Sequence, residues 1–142
     1  MITSARNQFS GEVAAARHGA VNDEVILRLA GGQEIVATVT SQSAARLGLA
    51  QGKKAVAMVK ATSVIVMVDV DVGKVSARNA ISGKVTDLKK GAVNSDVTIT
   101  DDAGLAISAI ITNSSADRLG LTVGKPAAAV FKASSVIVGV DG

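Results

Sequence analysis

Ser4-Ala5-Arg6-Asn7 returns as Ser76-Ala77-Arg78-Asn79, and everything between the two follows the same spacing. Gly19-Ala20-Val21-Asn22 reappears as Gly91-Ala92-Val93-Asn94, and Arg46-Leu47-Gly48-Leu49 as Arg118-Leu119-Gly120-Leu121. Lys60-Ala61-Thr62-Ser63-Val64-Ile65-Val66 reappears as Lys132-Ala133-Ser134-Ser135-Val136-Ile137-Val138. Each pair is offset by 72 residues without a gap, and about half of the aligned positions are identical. The chain is a tandem duplication. The period is too long for a solenoid repeat and close to a small domain. Expected domains are therefore 1–69 and 73–142, joined by Val70-Asp71-Val72-Gly73-Lys74. This joint is too short and apolar for a free linker, so the two halves are expected in contact.

Within each copy the pattern is that of strands. Val25, Leu27 and Leu29 alternate with Glu24 and Arg28, the period-2 signature of a half-buried strand, and Val97 and Ile99 repeat it. Gly31-Gly32 and Asp101-Asp102-Ala103-Gly104 mark hairpins, and Ile35, Ala37 and Val39 alternate beyond the first. One short helix follows. Ser41 or Ser43 is expected to cap it and Gly48 to end it in the left-handed conformation; Asn113, Ser115 and Gly120 repeat that logic. Lys53–Lys60 and Ser63–Val68 read as two more strands with a very short link. The predicted fold is all-β: two tandem OB-like five-stranded small barrels, each with one short helix between strands three and four.

Composition narrows the function. Domains of about 70 residues bury only about 60% of the surface of their unfolded chains, so each is expected to lean on a neighbour. With no cysteine, disulfides, zinc–thiolate sites and cysteine nucleophiles are excluded. No signal peptide is visible in Met1–Arg6, and the longest apolar runs have strand length, so a cytoplasmic protein without membrane partners is expected. The formal net charge of +3 suits an anionic partner mildly.

Catalytic residues are scarce. His18, the sole histidine, is replaced by Lys90 in the second copy and reads as a surface residue of a turn. Gly73-Lys74 and Gly83-Lys84 lack the spacing of a P-loop. No nucleophile elbow and no cluster with metal-ligand spacing is present. Carboxylates are poorly matched: Glu12 aligns with Lys84 and Glu34 with Ala106. No enzyme and no catalytic cofactor is expected.

Hydrogen-bond donors, by contrast, survive in both copies: Ser4, Arg6, Asn7, Asn22, Lys60 and Ser63, matched by Ser76, Arg78, Asn79, Asn94, Lys132 and Ser135. Donors without carboxylates suit a dianion whose oxygens only accept, and charge assistance makes such bonds strong. Each residue alone also has a structural reading: the arginines in ion pairs, the lysines as solvated strand ends, the asparagines as turn formers. Arg46 and Arg118 read as structural, at a helix C-terminus where a cation complements the dipole.

In this order, the Thr-Ser-Ala-Arg-Asn opening, the Gly-Ala-Val-Asn turn, the Ser-Ala-x-Arg-Leu-Gly-Leu helix and the Lys-Ala-x-x-Val link closely resemble the molybdenum-binding (Mop) domain. The resemblance covers the whole chain twice, as in tandem two-Mop-domain cytoplasmic proteins. It implies an OB-like barrel, molybdate or tungstate as ligand, and a homo-oligomer, a trimer being favoured, with anions held at subunit or domain interfaces. It also implies a role in molybdenum storage or homeostasis. The oxyanion contacts it implies are Ser4, Ala5 (through its N–H), Arg6 and Asn7, with Ser76, Ala77, Arg78 and Asn79. Lys60, Ser63, Lys132 and Ser135 would complete these sites from a neighbouring domain. A second type of site is implied at Gly19, Val21 and Asn22 and at Gly91, Val93 and Asn94. Many members carry Pro-Trp after Lys-Ala, whereas here Thr62-Ser63 and Ser134-Ser135 stand. The rival reading is a nucleic-acid-binding OB module. Its base-stacking platform needs more aromatics than Phe9 and Phe131, so no nucleic-acid partner is expected.

Overall fold

The computed structural model describes residues 1–141. In the first repeat the strands are β1 (Asn7–Arg17), β2 (Asn22–Leu29), β3 (Glu34–Thr40), β4 (Lys54–Val59) and β5 (Ile65–Met67), with helix α1 (Ser41–Leu47) between β3 and β4. The second repeats them as β6 (Asn79–Lys90), β7 (Asn94–Thr100), β8 (Ala106–Thr112), β9 (Pro126–Phe131) and β10 (Ile137–Gly139), with α2 (Asn113–Arg118). The expected order of three strands, helix and two strands therefore holds in both copies.

The alternation read from the sequence is the inward register. Val25, Leu27 and Leu29 are buried on β2, and Val97 and Ile99 on β7. The hairpins close where expected: Gly32 N–H donates to the Leu29 carbonyl with φ 88°, and Gly104 N–H to Asp101 with φ 91°. Both long first strands carry a register break, between Val13 and Ala15 and between Val85 and Asp87. A bulge there adds twist, which helps a five-stranded sheet curl into a barrel. Just before each break stands a glycine that nothing larger can replace. A Cβ on Gly11 would lie 2.6 Å from the Arg28 carbonyl oxygen, and one on Gly83 2.3 Å from that of Thr100.

The helix caps differ from expectation. Thr40 caps α1, its hydroxyl accepting from the Ser43 N–H at 3.1 Å, and Thr112 caps α2 through the Ser115 N–H at the same distance. Ser41, Ser43, Asn113 and Ser115 all lie inside the first turn. The helices begin one residue after the strands end, so the last strand residue, still extended, is the one whose side chain can reach the N3 amide. Gly48 ends α1 left-handed, at φ 67°, as expected; α2 is capped by Leu119 in the right-handed region, and the left-handed Gly120, at φ 63°, follows it. Arg46 and Arg118 sit in the last turns. Between the repeats, Val72–Lys74 forms a short 3-10 turn capped by the Asp71 carboxylate on the Gly73 N–H.

The fifth strands are exchanged. One sheet has the order β10-β4-β1-β2-β3 and the other β5-β9-β6-β7-β8, all antiparallel at the recorded pairings. The first compact unit is thus Met1–Val59 together with the segment from Lys132 onward; the second is Lys60–Phe131. The boundaries 1–69 and 73–142 describe the repeats of the sequence, and the units of packing depart from them by one strand each. The physical reason is that Val64-Ile65-Val66 and Val136-Ile137-Val138 present the same surface, so either sheet accepts either strand. In the first unit β10 pairs Ile137 with Met58 and also lies against β3, while Ala133–Ser135 packs on β3. In the second, β5 pairs Ile65 with Val130 and lies against β8. Each sheet so folds back toward its own edge, giving the barrel-like form, around cores of Leu27, Ile35 and Val13 in one and Ile99, Ile107 and Phe131 in the other.

Candidate functional site

Strand register gathers most of the expected residues of the first type at one end of each sheet. In the first unit Asn7 opens β1 and pairs with Val59, the last residue of β4. Ser4, Ala5 and Arg6 lead into that position, and Lys60 is the next residue after Val59. Beside β4, β10 begins at Ile137, so Ser135 lies at the same sheet end. In the second unit Asn79 opens β6 opposite Phe131, Lys132 follows Phe131, and Ser63 precedes β5 at the corresponding place. Each sheet end thus carries Ser-Ala-Arg-Asn and the start of a lysine-bearing link from one repeat, and a serine from the other. The lysines stand beside the tetrapeptide of their own repeat, whereas the serines three residues later belong to the other sheet. The strand exchange causes this division.

Asn7 and Asn79 are buried, each 2% exposed, while Ser4, Arg6, Ser76 and Arg78 are exposed. The Lys60 and Lys132 side chains are exposed too and make no hydrogen bond or ion pair among the described residues. Ala5 and Ala77 differ: the Ala5 N–H donates to the Thr3 hydroxyl at 3.0 Å, and Val75 replaces that threonine in the second repeat. The Ser63 and Ser135 N–H groups close their 3-10 turns on the Lys60 and Lys132 carbonyls, at 2.9 and 3.0 Å. Their hydroxyls, rather than their amides, remain as donors.

The residues of the second type lie elsewhere, in the turns joining β1 to β2 and β6 to β7. Val21 and Val93 are 72% and 70% exposed. In both turns the first helical N–H reaches back: Ser41 N–H to the Val21 carbonyl at 2.9 Å, Asn113 N–H to Val93 at 2.8 Å. The glycine amides are used within the turns, Gly19 donating to Asp23 Oδ1 at 3.2 Å and Gly91 to the Asn94 carbonyl at 2.8 Å.

Asp23 is a residue the sequence reading passed over. Its carboxylate accepts from the Ser41 hydroxyl at 2.6 Å on Oδ1 and from His18 Nδ1 at 2.8 Å on Oδ2. Those bonds, Ser41 first and then His18, hold its pKa below the ordinary carboxylate value against the opposing effect of burial. A signal was present: Asp23 stands in the inward register with Val25, Leu27 and Leu29, where a charge demands partners. His18 itself is largely exposed, as a turn residue was expected to be. With Ser41, Ala44 and Leu49 this group borders a cavity of about 240 Å³.

A larger cavity, about 570 Å³, lies over the β1 bulge between Glu12, Arg28, Gln51 and Lys54. None of the expected site residues lines it. Lys84, Thr100 and Pro126 replace Glu12, Arg28 and Lys54 in the second copy, so it is not part of what duplication preserved. Among the described residues no group of three His, Asp or Glu side chains could hold a metal ion, and no helix is long and apolar enough to cross a membrane.

Comparison with known proteins gives a consistent picture. The sequence profile of the TOBE domain matches residues 3–66 and 75–138. The chain is 44% identical over 141 residues to the molybdenum transport protein ModE of Herbaspirillum seropedicae, covering 99% of this chain and 52% of that protein. It is 41% identical over 138 residues to the molybdenum-pterin-binding protein MopA of Rhodobacter capsulatus, covering 97% and 52%. It therefore spans about half the length of the curated relatives it matches. A crystal structure of the cytoplasmic molybdate-binding protein ModG with molybdate bound superposes with a TM-score of 0.94 at 46% identity, covering 99% of this chain and 100% of that one.

Proposed function

Because the chain belongs to the TOBE-domain family and carries that domain twice, we propose that it is a molybdate-binding protein, not an enzyme, acting in intracellular molybdenum storage or homeostasis. The observation that carries this reading is the gathering, at one end of each sheet, of Ser-Ala-Arg-Asn, a lysine and a serine. The whole-chain likeness to ModG, whose crystals held molybdate, supports it. The guanidinium, ammonium, hydroxyl and amide donors replace the water shell of a tetrahedral dianion. Copies of the chain associate, as a trimer, and burial where they meet strengthens each bond by lowering the local dielectric. Tungstate, nearly the same size, binds as molybdate does; sulfate is smaller and is rejected.

Calorimetry on Arg6→Ala/Arg78→Ala tests the reading. Most molybdate binding should be lost, and wild-type affinity in the double variant would refute the role of both arginines. Equal affinity for sulfate and molybdate in the unsubstituted protein would remove the selectivity. A role in binding single-stranded nucleic acid is opposed by the two phenylalanines: Phe9 is 7% and Phe131 1% exposed, so neither offers a face to a base.

A further inference from the structure

The two Ser-Ala-Arg-Asn segments are identical, but the residues that fasten them are not. In the first repeat the Thr3 hydroxyl accepts from the Ala5 N–H at 3.0 Å, a turn closed by a side chain on the amide two residues on. Gln8 fastens the same segment through its carbonyls, Nε2 donating to that of Ala5 at 3.0 Å and to that of Thr3 at 3.4 Å. In the second repeat Val75 stands for Thr3 and Ala80 for Gln8, and neither side chain can form a hydrogen bond. The Ala77 N–H, between the exposed Ser76 and Arg78, has no partner among the described residues. That segment is held from upstream instead, where the Lys74 and Val75 N–H groups close a 3-10 turn on the Asp71 and Val72 carbonyls at 2.9 and 3.3 Å. One sheet end thus offers a main-chain donor that its twin has already spent.

We propose that Thr3 sets the two ends apart in affinity: by taking the Ala5 N–H it makes the first tetrapeptide the weaker holder of an oxyanion, and Val75, which cannot do so, leaves the second the tighter. This rests on the reading above that these sheet ends hold oxyanions. Both ends offer serine hydroxyls, an arginine and a lysine alike, so the difference lies in one amide. A tetrahedral dianion only accepts, and a bond from an N–H to a charged acceptor contributes roughly tenfold or more to affinity. At the second end that donor is available at once. At the first end the anion either forgoes it or breaks the Thr3 bond, a neutral one worth about fivefold. The two ends should therefore differ by at least about fivefold. Loading then spans a wider range of concentration than two equal ends would give, the second end filling first and emptying last.

Calorimetry of sodium molybdate binding to the full chain tests this. The unsubstituted protein should show two classes of site, the tighter lost in Arg78→Ala and the weaker in Arg6→Ala. Thr3→Val should free the Ala5 N–H while Gln8 still holds the segment, and should tighten the weaker class about fivefold or more, towards the other. Thr3→Ser, which keeps the hydroxyl, should leave both classes unchanged. Val75→Thr, the reverse exchange at the second end, should weaken the tighter class by the same factor. A Thr3 that merely stabilised the fold would act the other way, since its loss would loosen the site. Unchanged or weaker binding in Thr3→Val, unchanged binding in Val75→Thr, or a single class in the unsubstituted protein would overturn the role of Thr3; if Arg6→Ala and Arg78→Ala still lowered the count, the site reading would stand. No loss of sites in either arginine variant would overturn the site reading, and this inference with it.

Discussion

Replacing Val136 by alanine should weaken the unit built on the first repeat, although Val136 belongs to the second. Val136 is 3% exposed and lies between Ala133–Ser135, which packs on β3, and β10, which pairs with β4. Two methyl groups are lost, worth about 1.6 kcal/mol at about 0.8 kcal/mol per buried carbon. A cavity contribution raises the cost to about 2–3 kcal/mol. Such a loss is a sizeable part of the roughly 5–15 kcal/mol that holds a domain together. In native-state hydrogen exchange, the slowest amides of β1 to β4 should then exchange roughly 30- to 150-fold faster. Those of β6 to β9 should keep their protection. The mirror substitution, Val64→Ala, should reverse the pattern, since Val64 is also 3% exposed and precedes β5. If Val136→Ala instead loosened β6 to β9 and left β1 to β4 unchanged, each repeat would keep its own fifth strand and the exchange would be refuted.

Two further outcomes follow from local geometry. Thr40→Ala and Thr112→Ala should each cost about 1 kcal/mol, lowering the melting temperature by a few degrees, because each hydroxyl caps a helix; an unchanged melting temperature in both would deny the caps. Asp23→Asn should melt lower than the unsubstituted protein near neutral pH, and the gap should narrow in acid. The sign follows from the lowered folded-state pKa: the native form holds the proton less readily than the unfolded chain, so the ionised carboxylate stabilises above about pH 4 and that gain fades as the pH falls through the folded value. A gap that stayed constant from about pH 6 to about pH 2 would show that Asp23 does not act through its charge.

Much of the candidate site was legible because duplication acts as an internal control. Residues kept at a constant offset, such as Arg6 and Arg78 or Lys60 and Lys132, stand out from carboxylates that drift, such as Glu12 against Lys84. The same filter hid Asp23, whose counterpart is Ser95, for the buried carboxylate there is a feature of one copy alone. The resemblance also implied a contact through the Ala5 N–H and a site at Gly19. Whether an N–H is free depends on what lies beside it, and Thr3 and Asp23 occupy those two.

Strand identity, hairpins and the left-handed glycines beyond the helices were determined by sequence alone, because each depends on side-chain alternation or on a φ that few residues tolerate, within a handful of neighbours. Tertiary structure alone decided which sheet receives each fifth strand. Val64-Ile65-Val66 and Val136-Ile137-Val138 are nearly interchangeable, so no local preference distinguishes them. The choice falls to long-range pairing, in which the chain leaving Val59 and Phe131 carries its last strand to the other repeat's sheet.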